Sequence, residues 1–145
     1  MTDRQATTTW TGDLPSGSGD TTLDTSGLTT FAVSWPARSE ESGGKTSPEE
    51  LVAAAHSSCY CMQLSGLLGK AGTPPERIET TATVSFGPRG EGFAITGIAL
   101  RVRARVPGAD EAGFAQTAQL AKETCPVSAA LTGTEITLDA ALDGA

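Results

Sequence analysis

The sequence predicts an α+β fold, and three observations carry that expectation. Short Thr-rich segments separated by Gly/Ser turns fill the first 35 residues. A capped helix opens at Pro48 and runs without a formal charge from Leu51 to Gly69, and two alternating segments joined by a Gly-Pro turn follow it. At 145 residues the chain has the length of one ordinary domain, so residues 1–145 are expected to form a single unit. Hydrophobic residues at 38% against charged residues at 19% place it among globular sequences. The net charge of -7 repels polyphosphate backbones and anionic lipid surfaces, so neither nucleic acid nor a membrane is an expected partner. The first thirty residues lack the apolar stretch of a secretory signal. Three cysteines are too few for a disulfide-stapled scaffold, so a cytoplasmic location with free thiols is expected.

Taken in order, residues 6–11, with Trp10, read as a strand, residues 15–19 as a turn, and Ser26-Gly27 as the break between two further short strands ending near Trp35. Residues 36–47 form a polar loop carrying Arg38, Glu40, Glu41, Gly43 and Gly44. Ser47-Pro48-Glu49-Glu50 is a helix start: Ser47 caps, Pro48 takes the first helical position and Glu50 completes a capping box. The charge-free run that follows has about the length of a membrane span, but His56, Ser57, Ser58, Gln63 and Ser65 lie within it, and a soluble core helix is preferred. Such a helix has no solvated stripe and needs cover nearly all round. One chain of this size can supply about half of that cover, so an obligate symmetric homodimer is expected.

Gly72 and Pro74-Pro75 end the helix. Ile78, Thr80, Ala82, Val84 and Phe86 then alternate with polar residues, and a hairpin is read at Gly87-Pro88-Arg89-Gly90. The returning strand sets Ile98, Leu100, Val102, Ala104 and Val106 against Arg101, Arg103 and Arg105, a row read as a solvated face. Phe93 and Ile95 fall out of phase, which predicts a bulge near Gly97. Residues 110–124 read as a helix capped by Asp110, with Phe114, Ala118 and Ala121 inward, and residues 135–142 as a closing strand.

The chemistry rests on Cys59, Cys61 and Cys125. Pro126 biases Cys125 out of helical geometry and opens a short helix through about residue 131, so the Cys125 sulfur meets a helix N-terminus that favours thiolate. Cys59 lies mid-helix in apolar surroundings, and if it reacts a cation must reach it; the preceding loop offers Arg38 and Lys45. A free cysteine also commonly packs as a small hydrophobe, so inert thiols stay open at this point. Cys59 and Cys61 are about 200° apart around a helix, which argues against a shared metal ion or a mutual disulfide. His56 reads as a hydrogen-bonded core residue, and a reactive pair, if present, joins Cys59 and Cys125.

The segment Thr46-Ser47-Pro48-Glu49-Glu50-Leu51-Val52-Ala53-Ala54-Ala55-His56-Ser57-Ser58-Cys59, with Ala121-Lys122-Glu123-Thr124-Cys125-Pro126-Val127-Ser128, resembles the OsmC/Ohr family of thiol peroxidases, organic hydroperoxide reductases. The likeness is closer to the OsmC branch. It implies long central helices wrapped by antiparallel sheets in an intertwined homodimer, with two sites at the subunit interface. It further implies Cys59 as the peroxidatic thiolate, Cys125 as the resolving thiol, Arg38 as the orienting cation and Glu49 as the carboxylate holding that arginine. Neither metal nor organic cofactor is implied. An organic hydroperoxide is the implied substrate and a dithiol the implied reductant, for which lipoylated proteins are suggested beside thioredoxin-like donors and small thiols.

Glu49 precedes Cys59 by ten residues, about 15 Å of helix, so Arg38 spans part of that gap or one group comes from the other subunit. Arg4 competes with Arg38 for the role. Ser47 and Tyr60 depart from the usual Asn and Phe, and the additional Cys61 is read as inert over a rescue thiol or a source of intermolecular oxidation. A redox sensor or binding protein using the same pair without turnover, and a structural protein with inert thiols, are the alternatives.

Overall fold

The computed structural model describes residues 1–143 and resolves into two compact units, 1–51 and 52–145, of which residues 144–145 lie outside the described part. The first unit is built on an antiparallel sheet of β1 (Thr7–Thr11), β2 (Ser18–Thr22) and β3 (Thr30–Val33), in that spatial order. Trp10 pairs with Gly19 across β1 and β2, and a Cβ at Gly19 would come within 2.9 Å of the indole, so the missing side chain lets the ring lie over the strand.

The segment read as a loop from Pro36 opens instead with a helical turn, α1 (Trp35–Ser39). Ser34 caps it by accepting from the Ala37 N–H, and Pro36 sits in its first turn, where the missing N–H costs nothing. The chain then remains irregular to Ser47.

Helix α2 (Pro48–Lys70) begins and ends where the sequence indicates. The Glu50 N–H donates to Ser47 Oγ at 3.2 Å, as expected of the cap, but the return half of the capping box is not made. The Glu50 carboxylate accepts instead from Thr46 Oγ1 at 2.6 Å.

In the second unit β4 (Arg77–Arg89), β5 (Gly92–Arg105) and β6 (Ile136–Leu142) form a sheet in the order β4-β5-β6. The hairpin falls two residues later than predicted, because β4 continues through Gly87 and Pro88. As an edge strand, β4 tolerates a residue without an N–H. Gly90, at φ +59, and Glu91 make the turn. The predicted bulge is present: Ser85 pairs with Gly97 while Phe86 pairs with Ile95, leaving Thr96 as the extra residue and bringing Phe86 and Phe93 into a stack at 5.4 Å.

The second sheet is mixed, because β4 pairs with β5 antiparallel while β6 runs parallel to β5. Helices α3 (Glu111–Thr124) and α4 (Pro126–Ala130) lie between the two strands and carry the chain back to the starting end of the sheet, as a parallel pair requires.

One hydrophobic core unites this unit. Tyr60, Leu64 and Leu68 of α2 and Phe114, Ala118 and Ala121 of α3 pack with the inward row Ile98, Leu100, Val102 and Ala104 of β5. The arginine row faces outward, and Arg103 pairs with Asp139 at 3.0 Å. From Val52 onward α2 therefore buries only a stripe at four-residue spacing, His56, Tyr60, Leu64 and Leu68. Ala54, Ala55, Ser58, Met62, Ser65 and Gly66 are exposed, with Met62 at 74%. Among the described residues no helix is long and apolar enough to cross a membrane.

Candidate active site

Two constellations hold the predicted residues, one in each unit. In the second, Cys59 on α2 and Cys125 between α3 and α4 share a hydrogen bond with their sulfurs 3.0 Å apart, and neither is in a disulfide. Cys125 is buried completely and Cys59 partly. Local sequence explains the approach. Cys125 closes α3, donating its N–H to the Ala121 carbonyl, and the extended conformation imposed before Pro126 turns the chain into α4 at that point.

The surroundings of the two sulfurs differ in kind. Burial pushes the Cys59 thiol up, the neighbouring Cys125 adds to the rise, and only the Val127 N–H opposes it. Burial pushes Cys125 up as well, but hydrogen bonding from Cys59, from the Ser128 N–H and hydroxyl and from the Val127 N–H outweighs it and holds this thiol below the ordinary range. The surroundings thus favour thiolate at Cys125 over thiolate at Cys59. The raised Cys59 thiol follows from its apolar mid-helix position and the lowered Cys125 thiol accords with its place at a helix N-terminus.

In the first unit the only ion pair that Glu49 makes among the described residues is with Arg38, on α1. Arg38 Nη2 donates to Glu49 Oε1 at 2.9 Å, and Nε lies 3.1 and 3.2 Å from the two carboxylate oxygens. Glu49 is 6% exposed, so the carboxylate is withdrawn from water and fixed by this fork. Arg4, the competitor, is exposed and donates to the Asp3 carbonyl, and Lys45 is exposed. Beside the pair, a cavity of about 360 Å³ is lined by Trp10, Leu14, Val33, Trp35, Arg38 and Pro48.

Cys61 faces elsewhere, its sulfur 3.1 Å from Thr80 Oγ1 on β4. His56 is buried and joins Ser128 through Nε2 at 2.7 Å. The histidine is thus the hydrogen-bonded core residue the sequence suggests, while Ser128 beside Cys125 was not anticipated. The signal available for it is position alone: Cys125 stands at an N-cap, and Ser128 occupies the third helical position, where capping partners occur. Among the described residues no three His, Cys, Asp or Glu side chains converge as a metal site.

Comparison with known proteins gives the family and the fold. The family model described as OsmC-like protein matches residues 40–140. The chain is 45% identical over 130 residues to Peroxiredoxin OsmC of Escherichia coli (strain K12), covering 90% of each. Among solved structures, the organic hydroperoxide resistance protein OhrB of Bacillus subtilis superposes with a TM-score of 0.75 at 25% identity, covering 94% of this chain and 98% of the other. An organic hydroperoxide resistance protein from Elizabethkingia anophelis gives 0.76 at 25% identity, covering 98% and 99%. The fold is that of the OsmC and Ohr proteins, and the chain belongs to the OsmC family.

Proposed function

We propose that this protein is a thiol peroxidase that reduces organic hydroperoxides to alcohols through Cys59 and Cys125. The single observation that carries the reading is the 3.0 Å separation of two free sulfurs, one of them fully buried. The Cys59 thiolate attacks the terminal peroxide oxygen, the O–O bond breaks and the alkoxide leaves as alcohol after taking a proton. The resulting sulfenic acid then condenses with the Cys125 thiol, forming the S–S bond and releasing water. A dithiol restores both thiols and is itself oxidised to a disulfide. Lipoylated proteins fit that role chemically, as do other dithiol donors.

In this reading Arg38 supplies the positive charge that stabilises the Cys59 thiolate and the charge spread over the breaking O–O bond, and Glu49 fixes the guanidinium. The names of the relatives, a peroxiredoxin and organic hydroperoxide resistance proteins, support a peroxide-reducing role. The proposal includes a homodimer, supported by the exposed, uncharged face of α2 carrying Ala54, Ala55, Ser58, Met62 and Ser65.

Sustained consumption of cumene hydroperoxide in the presence of dihydrolipoamide tests the proposal. Wild type turns over, Cys59→Ser does not, and Arg38→Ala loses about two orders of magnitude, the scale of a removed transition-state donor. One rapid oxidation followed by no further consumption in any reductant would move the protein to the sensor reading.

A further inference from the structure

The face of α2 that carries Cys59 also carries Gln63, one turn further on and about 6 Å along the helix axis. Across from it, Thr124 ends α3 and stands directly before Cys125. The Gln63 side chain reaches Thr124, donating from Nε2 to Oγ1 at 2.8 Å. The hydroxyl itself donates to the Leu120 carbonyl at 2.7 Å, so its oxygen is left to accept, and the Gln63 amide turns its nitrogen toward the threonine. Thr124 thereby ties the last turn of its own helix to the neighbouring helix beside the thiols.

This contact differs from the other side-chain hydrogen bonds that α2 makes to α3 and α4. Tyr60 with Ala118 and His56 with Ser128 are buried and belong to the packing. The Gln63 contact is exposed, and an exposed neutral hydrogen bond adds little to global stability. Its position gives it a local task. Helices open first at their ends, and the end residue here is the neighbour of Cys125, whose extended conformation before Pro126 turns the chain. In the reduced protein the sulfurs also hold one another at 3.0 Å. Once Cys59 carries the oxygen of a sulfenic acid, that thiol-to-thiol hydrogen bond is gone, and the alignment of Cys125 depends on its neighbours.

We propose that Gln63 and Thr124 are positioning residues for the resolving step, holding the end of α3 against α2 so that Cys125 captures the Cys59 sulfenic acid before a second hydroperoxide does. This rests on the peroxidase reading above. Two reactions compete for that sulfenic acid. In resolution the Cys125 S–H gives up its proton as its sulfur attacks the Cys59 sulfur, the S–O bond breaks, and the departing hydroxide takes the proton as water. In overoxidation the Cys59 sulfur attacks the terminal oxygen of another hydroperoxide and the O–O bond breaks. Cys59 is oxidised to a sulfinic acid, the hydroperoxide is reduced, and the alkoxide leaves as alcohol with the proton that the transferred hydroxyl gives up. The first reaction is intramolecular and depends on alignment; the second depends on the hydroperoxide concentration. Loosening the end of α3 therefore slows resolution. It lowers, by the same factor, the concentration at which half of the sulfenic acid is overoxidised in a single turnover.

Rapid-quench mass spectrometry with cumene hydroperoxide reads both quantities. Thr124→Val keeps the shape of the side chain without the hydroxyl, and Gln63→Met keeps its length without the amide. In each variant sulfenic acid at Cys59 forms at the wild-type rate, while disulfide formation slows about fivefold, the scale of one neutral hydrogen bond. The hydroperoxide concentration giving half sulfinic acid falls about fivefold with it. The double variant is no slower than either single one, because both changes remove the same bond. Thr124→Ser, which keeps the hydroxyl, restores the wild-type rate. Disulfide formation within about twofold of wild type in both single variants, additive slowing in the double variant, or equal slowing of sulfenic acid formation would overturn the proposal. Absence of any sulfenic acid in wild type would overturn the peroxidase reading, and this inference with it.

Discussion

Cys59 and Cys61 stand two residues apart on the same helix and meet opposite circumstances. One has a second sulfur at 3.0 Å and the Val127 N–H beside it; the other has a threonine hydroxyl at 3.1 Å on β4. Nothing in the residue type separates them. Two steps along an α-helix rotate a side chain by about 200°, which carries Cys61 from the α4 side of α2 to the β4 side. The difference teaches that a thiol's surroundings here are assigned by helical phase: it meets a second sulfur only where the fold brings one to its face.

The largest effect expected from breaking this comparison is chemical. Cys59→Ser abolishes peroxide consumption measured with a dithiol donor, while Cys61→Ser leaves it within about twofold, as an uninvolved side chain should. A large loss in Cys61→Ser would show that both phases of the helix take part.

A second test reaches the buried contact of His56 with Ser128 through pH. The chain has one histidine, so titration in the histidine range belongs to His56. Burial lowers its folded-state pKa, so between that value and the unfolded value near 6.5 the unfolded chain binds more protons. Stability is therefore greatest above the unfolded value and falls as pH drops below it. The urea midpoint should decrease from about pH 8 to about pH 5.5, and His56→Gln should lose most of that slope. An unchanged slope in the variant would assign the pH dependence to carboxylates.

Smaller still is the contribution of Tyr60, one position from Cys59. Its hydroxyl donates to the Ala118 carbonyl at 2.8 Å in a wholly buried setting. Tyr60→Phe should cost about 1 kcal/mol in urea unfolding, the net worth of one buried hydrogen bond, without changing the rate of sulfenic acid formation. A catalytic defect with intact stability would place the phenol in the chemistry.

Much of this was legible because the informative patterns are local. Ser47-Pro48 marks the start of α2, period-two alternation marks β4 and β5, and the slip of Phe93 and Ile95 against that alternation locates the bulge. Cys125-Pro126 likewise announces a chain turn between two helices. What escaped is set by distance or by tolerance. Helix α1 is a single turn, too short for any periodicity to register. Alternation in β6 is the same whichever way the strand runs, so its parallel pairing had to come from the crossover through α3 and α4. Pro88 reads as a turn residue, yet an edge strand accommodates it. The contact of His56 with Ser128 joins residues 72 apart in the chain, and no local pattern records it. The Arg38 and Glu49 pairing came from the family resemblance, and its forked geometry is visible only in three dimensions.

The central claim is that Cys59 and Cys125 form one redox pair with Cys61 outside it. Intact mass and free-thiol counting on wild type and Cys125→Ser, after one equivalent of cumene hydroperoxide, test it most directly. The account predicts loss of two thiols in wild type, with Cys59 and Cys125 joined, and a trappable sulfenic acid at Cys59 in the variant. Survival of all three thiols, or a disulfide that includes Cys61, would contradict it.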